Sequence, residues 1–385
     1  MKTLIKNALV HDSINRTPYE ADILIEDGKI ALIESMIDCV DAEVIDAKGL
    51  RAYAGFIDAH THIGLAGYGI GYEGTDYNEM NDIVTPHLRG IDGFKPMQPS
   101  LENAARAGVT TVCTGPGSAN VLGGTFVAVK TVGKRADDMI VKDPIAMKCA
   151  FGENPKRCYR SSCDSSRMTT AAKLREMLFK AREYDRKIKA AGDDESKLPG
   201  FDMKLEALLP VIRGEMPLKA HAHATEDIFT AIRVAKEFNV DITLDHCTDG
   251  SLIADELAKE GLCAFVGPSL GSKSKIELKN KSFETPAVLH KAGVNVSIIT
   301  DAPVIPLQYL PMCAGLAVDA GLPYEEGWKA ITCNPAESIG IADRIGSLEP
   351  GKDGDVVIWS ADPLVNVGAH AVCTVIDGKI VHQEG

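Results

Sequence analysis

Residues 55 to 65 of the chain, GFIDAHTHIGL, close an apolar run with two histidines a single residue apart, His60 and His62. On a strand, residues two apart share a face, so both imidazoles can converge on one ion. A bare His-x-His is equally well a pair of satisfied structural histidines, and its surroundings decide between the two. Four more polar residues recur where strand-like segments finish: Glu153 in FGENPKR, His221 in KAHAHATEDI, His246 in TLDHCTDG and Asp301 in IITDAPV. Imidazoles and carboxylates gathered in one pocket are the donors of a divalent metal centre, whose natural chemistry is hydrolysis by activated water.

Something must bring those strand ends together. The segments AGVTTVCT, PIAMKCAFG, PLKAHAHA, VDITLDHC, LCAFVGPS and VNVSIITDA read as strands, and TEDIFTAIRVAKEFN as an amphipathic helix. Strands alternating with helices predict a parallel sheet, and a (β/α)8 TIM-like barrel would turn all of its strand ends toward one pocket. A charged stretch from Thr170 to Lys197 is expected to form one long helix ending in a solvated loop. The two ends of the chain read differently. TLIKNALV and ADILIEDGKIALIESM near the start, and GDVVIWSA and CTVIDGKIVHQ near the finish, are short strands, and Asp-Gly-Lys-Ile occurs at both 27 to 30 and 377 to 380. The expectation is a small β-sandwich domain from residues 1–53 and 346–385, with a barrel domain at 54–345 between them.

Composition bounds the partners. With 41 Lys and Arg against 54 Asp and Glu the formal net charge is −13, which disfavours nucleic acid or an anionic membrane surface and favours a small-molecule substrate. Lys6, Asn7 and His11 interrupt the apolar residues of the opening segment, and no later run approaches membrane-spanning length. The 10 cysteines form no CxxC pair and mostly sit in apolar segments, as expected of buried thiols in a cytoplasmic protein.

On these motifs, and on IDAKGLRAYAGFIDAHTHIGL at the front and NPAESIGIADRIGSLEPGKDGDVVIWSADPL at the back, the chain resembles the metal-dependent amidohydrolase superfamily, in the branch related to imidazolonepropionase and Xaa-Pro dipeptidase-like members. The resemblance covers nearly the whole chain; Ala54 stands where proline is common, a change that touches no ligand. It implies that His60 and His62 are ligands after the first barrel strand, His221 and His246 after the fifth and sixth, and Asp301 after the eighth. It also implies one or two divalent ions per chain; this donor set suits zinc, with iron, manganese or cobalt as alternatives. Related two-metal sites are bridged from the fourth strand by a glutamate or a carboxylated lysine. Here Lys148 lies within the predicted strand and Glu153 five residues on, roughly 16 Å further along at about 3.3 Å per residue, so one of them reaches the pocket. Placement at the strand end favours Glu153, and makes Lys148 a lysine paired with a carboxylate between barrel and helices.

The resemblance further implies cleavage of a C–N bond in a cyclic amide, an N-acyl amino acid or a dipeptide by a metal-held hydroxide, with Asp301 accepting the water's proton and passing it to the leaving nitrogen. His223, two residues after His221, is expected to touch substrate, as are Arg157 and Tyr159 in the basic segment ENPKRCYR, where Lys156 and Arg160 also lie. TGPGSANVLGG at 114 to 124 lacks the ending of a phosphate loop and reads as a substrate-shaping loop. Deamination of an aminated heterocycle at a single metal is the alternative activity, and a silent scaffold the reading from another class. The scaffold reading is disfavoured because the ligands are all present. A homo-oligomer is common in such families.

Overall fold

The computed structural model describes residues 2–66, 71–161 and 165–384. The chain opens with β1 (Lys2–His11), β2 (Tyr19–Glu26), β3 (Lys29–Glu34), β4 (Glu43–Asp46) and β5 (Arg51–Ala54). It continues through β6 (Phe56–Thr61), β7 (Val109–Thr114), β8 (Leu122–Lys130), β9 (Ile140–Ala150), β10 (Leu218–Ala222), β11 (Ile242–His246), β12 (Ala264–Val266) and β13 (Val296–Ile298). Last come β14 (Val356–Trp359), β15 (Ala371–Ile376) and β16 (Lys379–Gln383).

β6 to β13 form one sheet in chain order, and the sheet nearly closes into a barrel. Every residue of β6, β7, β8, β10, β11, β12 and β13 is buried, as expected of strands covered on both faces. Where the first strand meets the last, Ile57 N donates to Ile331 O at 2.8 Å and Ile298 N to Ala330 O at 2.9 Å. Above them Asp58 Oδ2 accepts from Thr300 N at 2.9 Å and from Thr300 Oγ1 at 2.6 Å. These bonds stitch the seam directly beneath His60 and Asp301.

One strand departs from the expected pattern. β8 pairs antiparallel with both β7 and β9, so seven barrel strands run one way and one runs back. The reason is length: only residues 115–121 link β7 to β8, and a parallel return needs a crossover of about a dozen residues or more. The glycine-rich segment 114 to 124 therefore runs into a strand, with Gly123 and Gly124 inside β8. Helices cover the rest. Arg167–Ala191 starts at a capping box between Ser166 and Thr169, and Thr225–Phe238 buries Ile228, Ala231, Ile232, Ala235 and Phe238 on one face. The first of these ends at Ala191 and gives way to the largely exposed stretch from Gly192 to Lys197, the solvated loop expected there.

Strands from both ends of the chain share a second sheet, ordered β16-β15-β14-β5-β1-β2-β3 with β4 also on β1. This is one mixed sheet, where two facing sheets of a sandwich were expected. Its two Asp-Gly turns, with φ of 49° and 82° at Asp27 and Gly28 and 48° and 73° at Asp377 and Gly378, meet each other. A side chain on Gly378 would place its Cβ 3.0 Å from the Gly28 Cα, so the contact needs glycine there. Barrel and sheet are tied through Lys130 at the end of β8, whose Nζ reaches Asp355 at 2.7 Å, Asp353 at 3.0 Å and Asp377 at 3.3 Å. Among the described residues no helix is long and apolar enough to cross a membrane.

Candidate metal centre

The histidines, Asp301 and both interior lysines gather at the carboxyl end of the barrel. His60 is the fifth residue of β6, and His62 lies just past its end, where Ala302 O accepts its backbone N–H at 2.6 Å. His221 comes from β10 and His246 from the last position of β11. His246 and Asp301 have φ of 76° and 52°, conformations unusual outside glycine. At β11 this turn lets the consecutive residues Asp245 and His246 both approach His60, against the alternation of a regular strand.

Two donor sets result, His60 with His62 and Asp301, and His221 with His223 and His246, the ligand atoms of each lying within 4.8 Å of one another. In the first set Asp301 Oδ1 is 3.4 Å from His60 Nε2 and 3.2 Å from His62 Nε2. Those spacings match the edge of a tetrahedron around zinc, about 3.4 Å for bonds of about 2.1 Å. Hydrogen bonds behind the rings aim them. His62 Nδ1 donates to Gly115 O at 2.8 Å and His246 Nδ1 to Gly267 O at 2.7 Å, which leaves each Nε2 lone pair facing the pocket. Hydroxyls hold the other two: Ser118 Oγ lies 2.9 Å from His221 Nδ1, and Thr248 Oγ1 lies 2.8 Å from His223 Nδ1. His221 Nε2, His246 Nε2 and Asp301 Oδ1 are buried without a hydrogen-bond partner. Buried polar atoms are rarely orphaned, and a cation shared between them would satisfy all three. The residues present thus fit a divalent metal centre.

The electrostatics agree. Burial pushes His246 down to about 3 and holds His221 and His223 well below the usual imidazole value, so they stand as neutral donors at neutral pH. Burial alone would raise Asp301, but the imidazoles of His60 and His62 hold its carboxyl well below the usual range. Asp58, buried beneath, is pushed up to about 7 by the loss of water despite its bonds from Thr300 and the His60 backbone.

The structure separates the two fourth-strand candidates. Lys148 is fully buried inside β9, its Nζ 3.4 Å from His60 Nε2 and 3.4 Å from Asp245 Oδ2. Glu153 follows the strand and opens a short helix, its Oε1 accepting from Glu277 N at 3.0 Å and its own N–H donating to Glu277 Oε2 at 2.9 Å. The Tyr159 hydroxyl donates toward Glu79 O and Asp82 O at 2.9 and 2.8 Å, tying that loop to the one after β6, and Arg157 is exposed.

Three residues near the centre were not singled out from the sequence. Asp245 lies 3.0 Å from His60 Nδ1, off the line of a good hydrogen bond, and accepts from Lys219 Nζ at 2.7 Å. Lys219 stands two residues before His221 on the same strand face, a spacing that the argument for His60 and His62 could have caught. Glu277 comes from the segment after β12, where no pattern marks it.

Comparison with known proteins agrees with the fold. The Amidohydrolase family profile matches residues 51–381. The chain is 28% identical over 423 residues to "Amidohydrolase tasK" of Hapsidospora irregularis, an alignment covering 98% of this chain and 43% of that protein, so it spans less than half of that relative's length. It is 27% identical over 396 residues to a dihydroorotase of Elusimicrobium minutum, covering 93% of this chain and 88% of that one. The crystal structure of an amidohydrolase from Thermotoga maritima MSB8 superposes with a TM-score of 0.96 at 40% identity, over 99% of this chain and 100% of that one.

Proposed function

Because this chain belongs to the amidohydrolase family, we propose that it hydrolyses a C–N bond in a small amide, first among them a cyclic amide of the kind named by its dihydroorotase relative. The observation that carries the reading is the inward set of buried atoms, His221 Nε2, His246 Nε2 and Asp301 Oδ1, that have no hydrogen-bond partner among the described residues. His60, His62 and Asp301 would hold one divalent ion, His221 and His246 a second, and zinc suits these donors best. Lys148 supports a bridge between them better than Glu153 does, because its Nζ already lies against His60. Burial lowers the Lys148 amine below the usual lysine value, and a neutral amine can add carbon dioxide, releasing one proton and gaining a carboxylate. We assign the chemistry to a barrel domain at residues 54–345 and a supporting role to a second domain at 1–53 and 346–385.

Ions held there supply Lewis acidity and make water acidic enough to ionise near neutral pH. The chain's own residues do the rest. Asp301, ionised at neutral pH, takes a proton from the attacking water and returns it to the leaving nitrogen. Phe126, its ring 5.3 Å from that of His60, covers the inner side of the centre and keeps water off it. The test is a panel of dihydropyrimidines, hydantoins, lactams, imidazolones, N-acyl amino acids and dipeptides offered to metal-loaded protein. Ring opening or amide cleavage abolished by a chelator supports the reading. Ammonia released from an aminated heterocycle, with no amide cleaved, replaces it with deamination.

A further inference from the structure

Glu277 is an acid in an unexpected place. It lies in the short turn Ile276–Leu278 after β12, only 4% exposed, with Oε1 3.9 Å from His223 Nε2 and 4.0 Å from His221 Nε2. Those gaps are too long for hydrogen bonds. They are about half an ångström wider than two donors sharing a tetrahedral ion, which side-chain rotation can close. Its other oxygen is fixed by the Glu153 N–H at 2.9 Å, and Glu277 N donates back to Glu153 Oε1 at 3.0 Å, so the carboxylate is aimed by a reciprocal pair of bonds. On the far side the Nε2 atoms of His221 and His246 are buried and unpartnered. Among the described residues the cation paired with the carboxylate is Lys275, its Nζ 3.3 Å from Oε1, on a side chain 18% exposed.

We propose that Glu277 is a metal ligand, completing with His221, His223 and His246 a four-donor site for one divalent ion, and that Lys275 is the side chain this ion displaces. The inference rests on the reading of the chain as a metal-dependent hydrolase and extends it. Two consequences are particular to it. His223 becomes a ligand, where the sequence suggested a substrate contact, and this ion no longer depends on a bridge from Lys148. Three imidazoles and a carboxylate suit zinc or cobalt. In the ion-free chain the Lys275 ammonium stands in for the missing charge beside a buried carboxylate. Metal affinity is therefore set by competition between ion and lysine.

The experiment is equilibrium dialysis of the full chain against zinc, and against cobalt(II) with its visible absorption recorded, for the parent, Glu277→Gln and Lys275→Met, with circular dichroism to confirm folding. Glutamine keeps the shape and can still accept from Glu153, so loss of fold is not the expected result; Glu277→Asp serves as a second, shortened carboxylate. The expected outcome is that Glu277→Gln weakens one ion by more than about a hundredfold, beyond the roughly 10- to 100-fold that loss of an outer hydrogen-bond partner costs, and changes the cobalt absorption, while Lys275→Met tightens that ion. Parent affinity and an unchanged cobalt spectrum in folded Glu277→Gln would overturn the proposal. A parent that holds ions beside such an unaffected variant defeats this inference alone, whereas a parent that holds no divalent ion defeats the hydrolase reading with it.

Discussion

Lys148 Nζ and His60 Nε2 lie 3.4 Å apart in the interior of the barrel, with both side chains fully buried. A lysine so placed is costly unless its charge is lost or matched, and Asp245 at 3.4 Å matches it only in part because Lys219 claims the other oxygen. Lys148→Met is expected to lose at least one bound ion per chain and to abolish turnover, while Glu153→Gln retains metal. Elemental analysis of both variants checks this. Activation of the parent by added bicarbonate would mark the lysine as carboxylated, and a metal-replete, active Lys148→Met variant would return the bridge to Glu153.

Asp301→Asn removes the proposed proton carrier but leaves the imidazoles. Turnover of a proven substrate should fall by roughly 10² to 10⁴ with most of the histidine-bound metal still present. A helix cap at this position would cost only about 1 kcal/mol of stability and leave turnover alone. Rate and metal content measured on the same preparation separate the two roles.

The eight-stranded barrel, its histidine-bearing strands and the sheet shared by the chain ends follow patterns visible along the sequence, because alternation, apolar runs and Asp-Gly turns are local signals. β8 was hidden, since Gly123 and Gly124 weaken any strand pattern and its pairing partners flank it in space. The choice between Lys148 and Glu153 was equally out of reach. Which of them lies against His60 depends on where β9 ends within the barrel, and after the Gly152 turn at φ 81° Glu153 bonds to Glu277. Asp245 was overlooked because strand alternation puts it opposite His246, and only the left-handed backbone at His246 brings both to His60.

Acid should destabilise the metal-free protein from about pH 6.5 downward. His246 at about 3, His11 at about 4 and His221 and His223 well below 6.5 stay neutral when folded but take up protons when unfolded. The unfolded state then binds more protons, so stability falls as pH drops through this window, by up to about 1.4 kcal/mol per pH unit for each histidine. Urea midpoints between pH 7.5 and 5 test the sign. Midpoints that rise on acidification would show these histidines to be charged in the folded chain.

Lys130→Met should separate barrel from sheet. It leaves Asp353, Asp355 and Asp377 facing one another without their shared cation, a loss of about 3 to 5 kcal/mol for a broken buried pair. Burial alone would lower the Lys130 amine, but Asp355, Asp377 and Asp353 together raise it above 10.5. Its contribution is thus fully present below pH 10.5 and lost as pH climbs through the raised value. Denaturant titration of parent and variant at pH 8 and pH 11 should find their stabilities converging at the higher pH.

The contact between the Gly28 and Gly378 turns sets an order of events during synthesis. The β1–β5 strands are made first, yet β5 pairs with β14, and the Gly28 carbonyl bonds to Gly354 N, a residue that emerges only after the whole barrel. An N-terminal sheet with open edges must therefore wait through translation of some three hundred residues, and its apolar edge strands are exposed to pairing with other nascent chains for all of that time. Contacts spanning so much of the sequence also make the final docking slow. Cells that overproduce this protein should lose more of it to aggregation than its folded stability would suggest, and slowing elongation, which lengthens the wait, should make the loss worse.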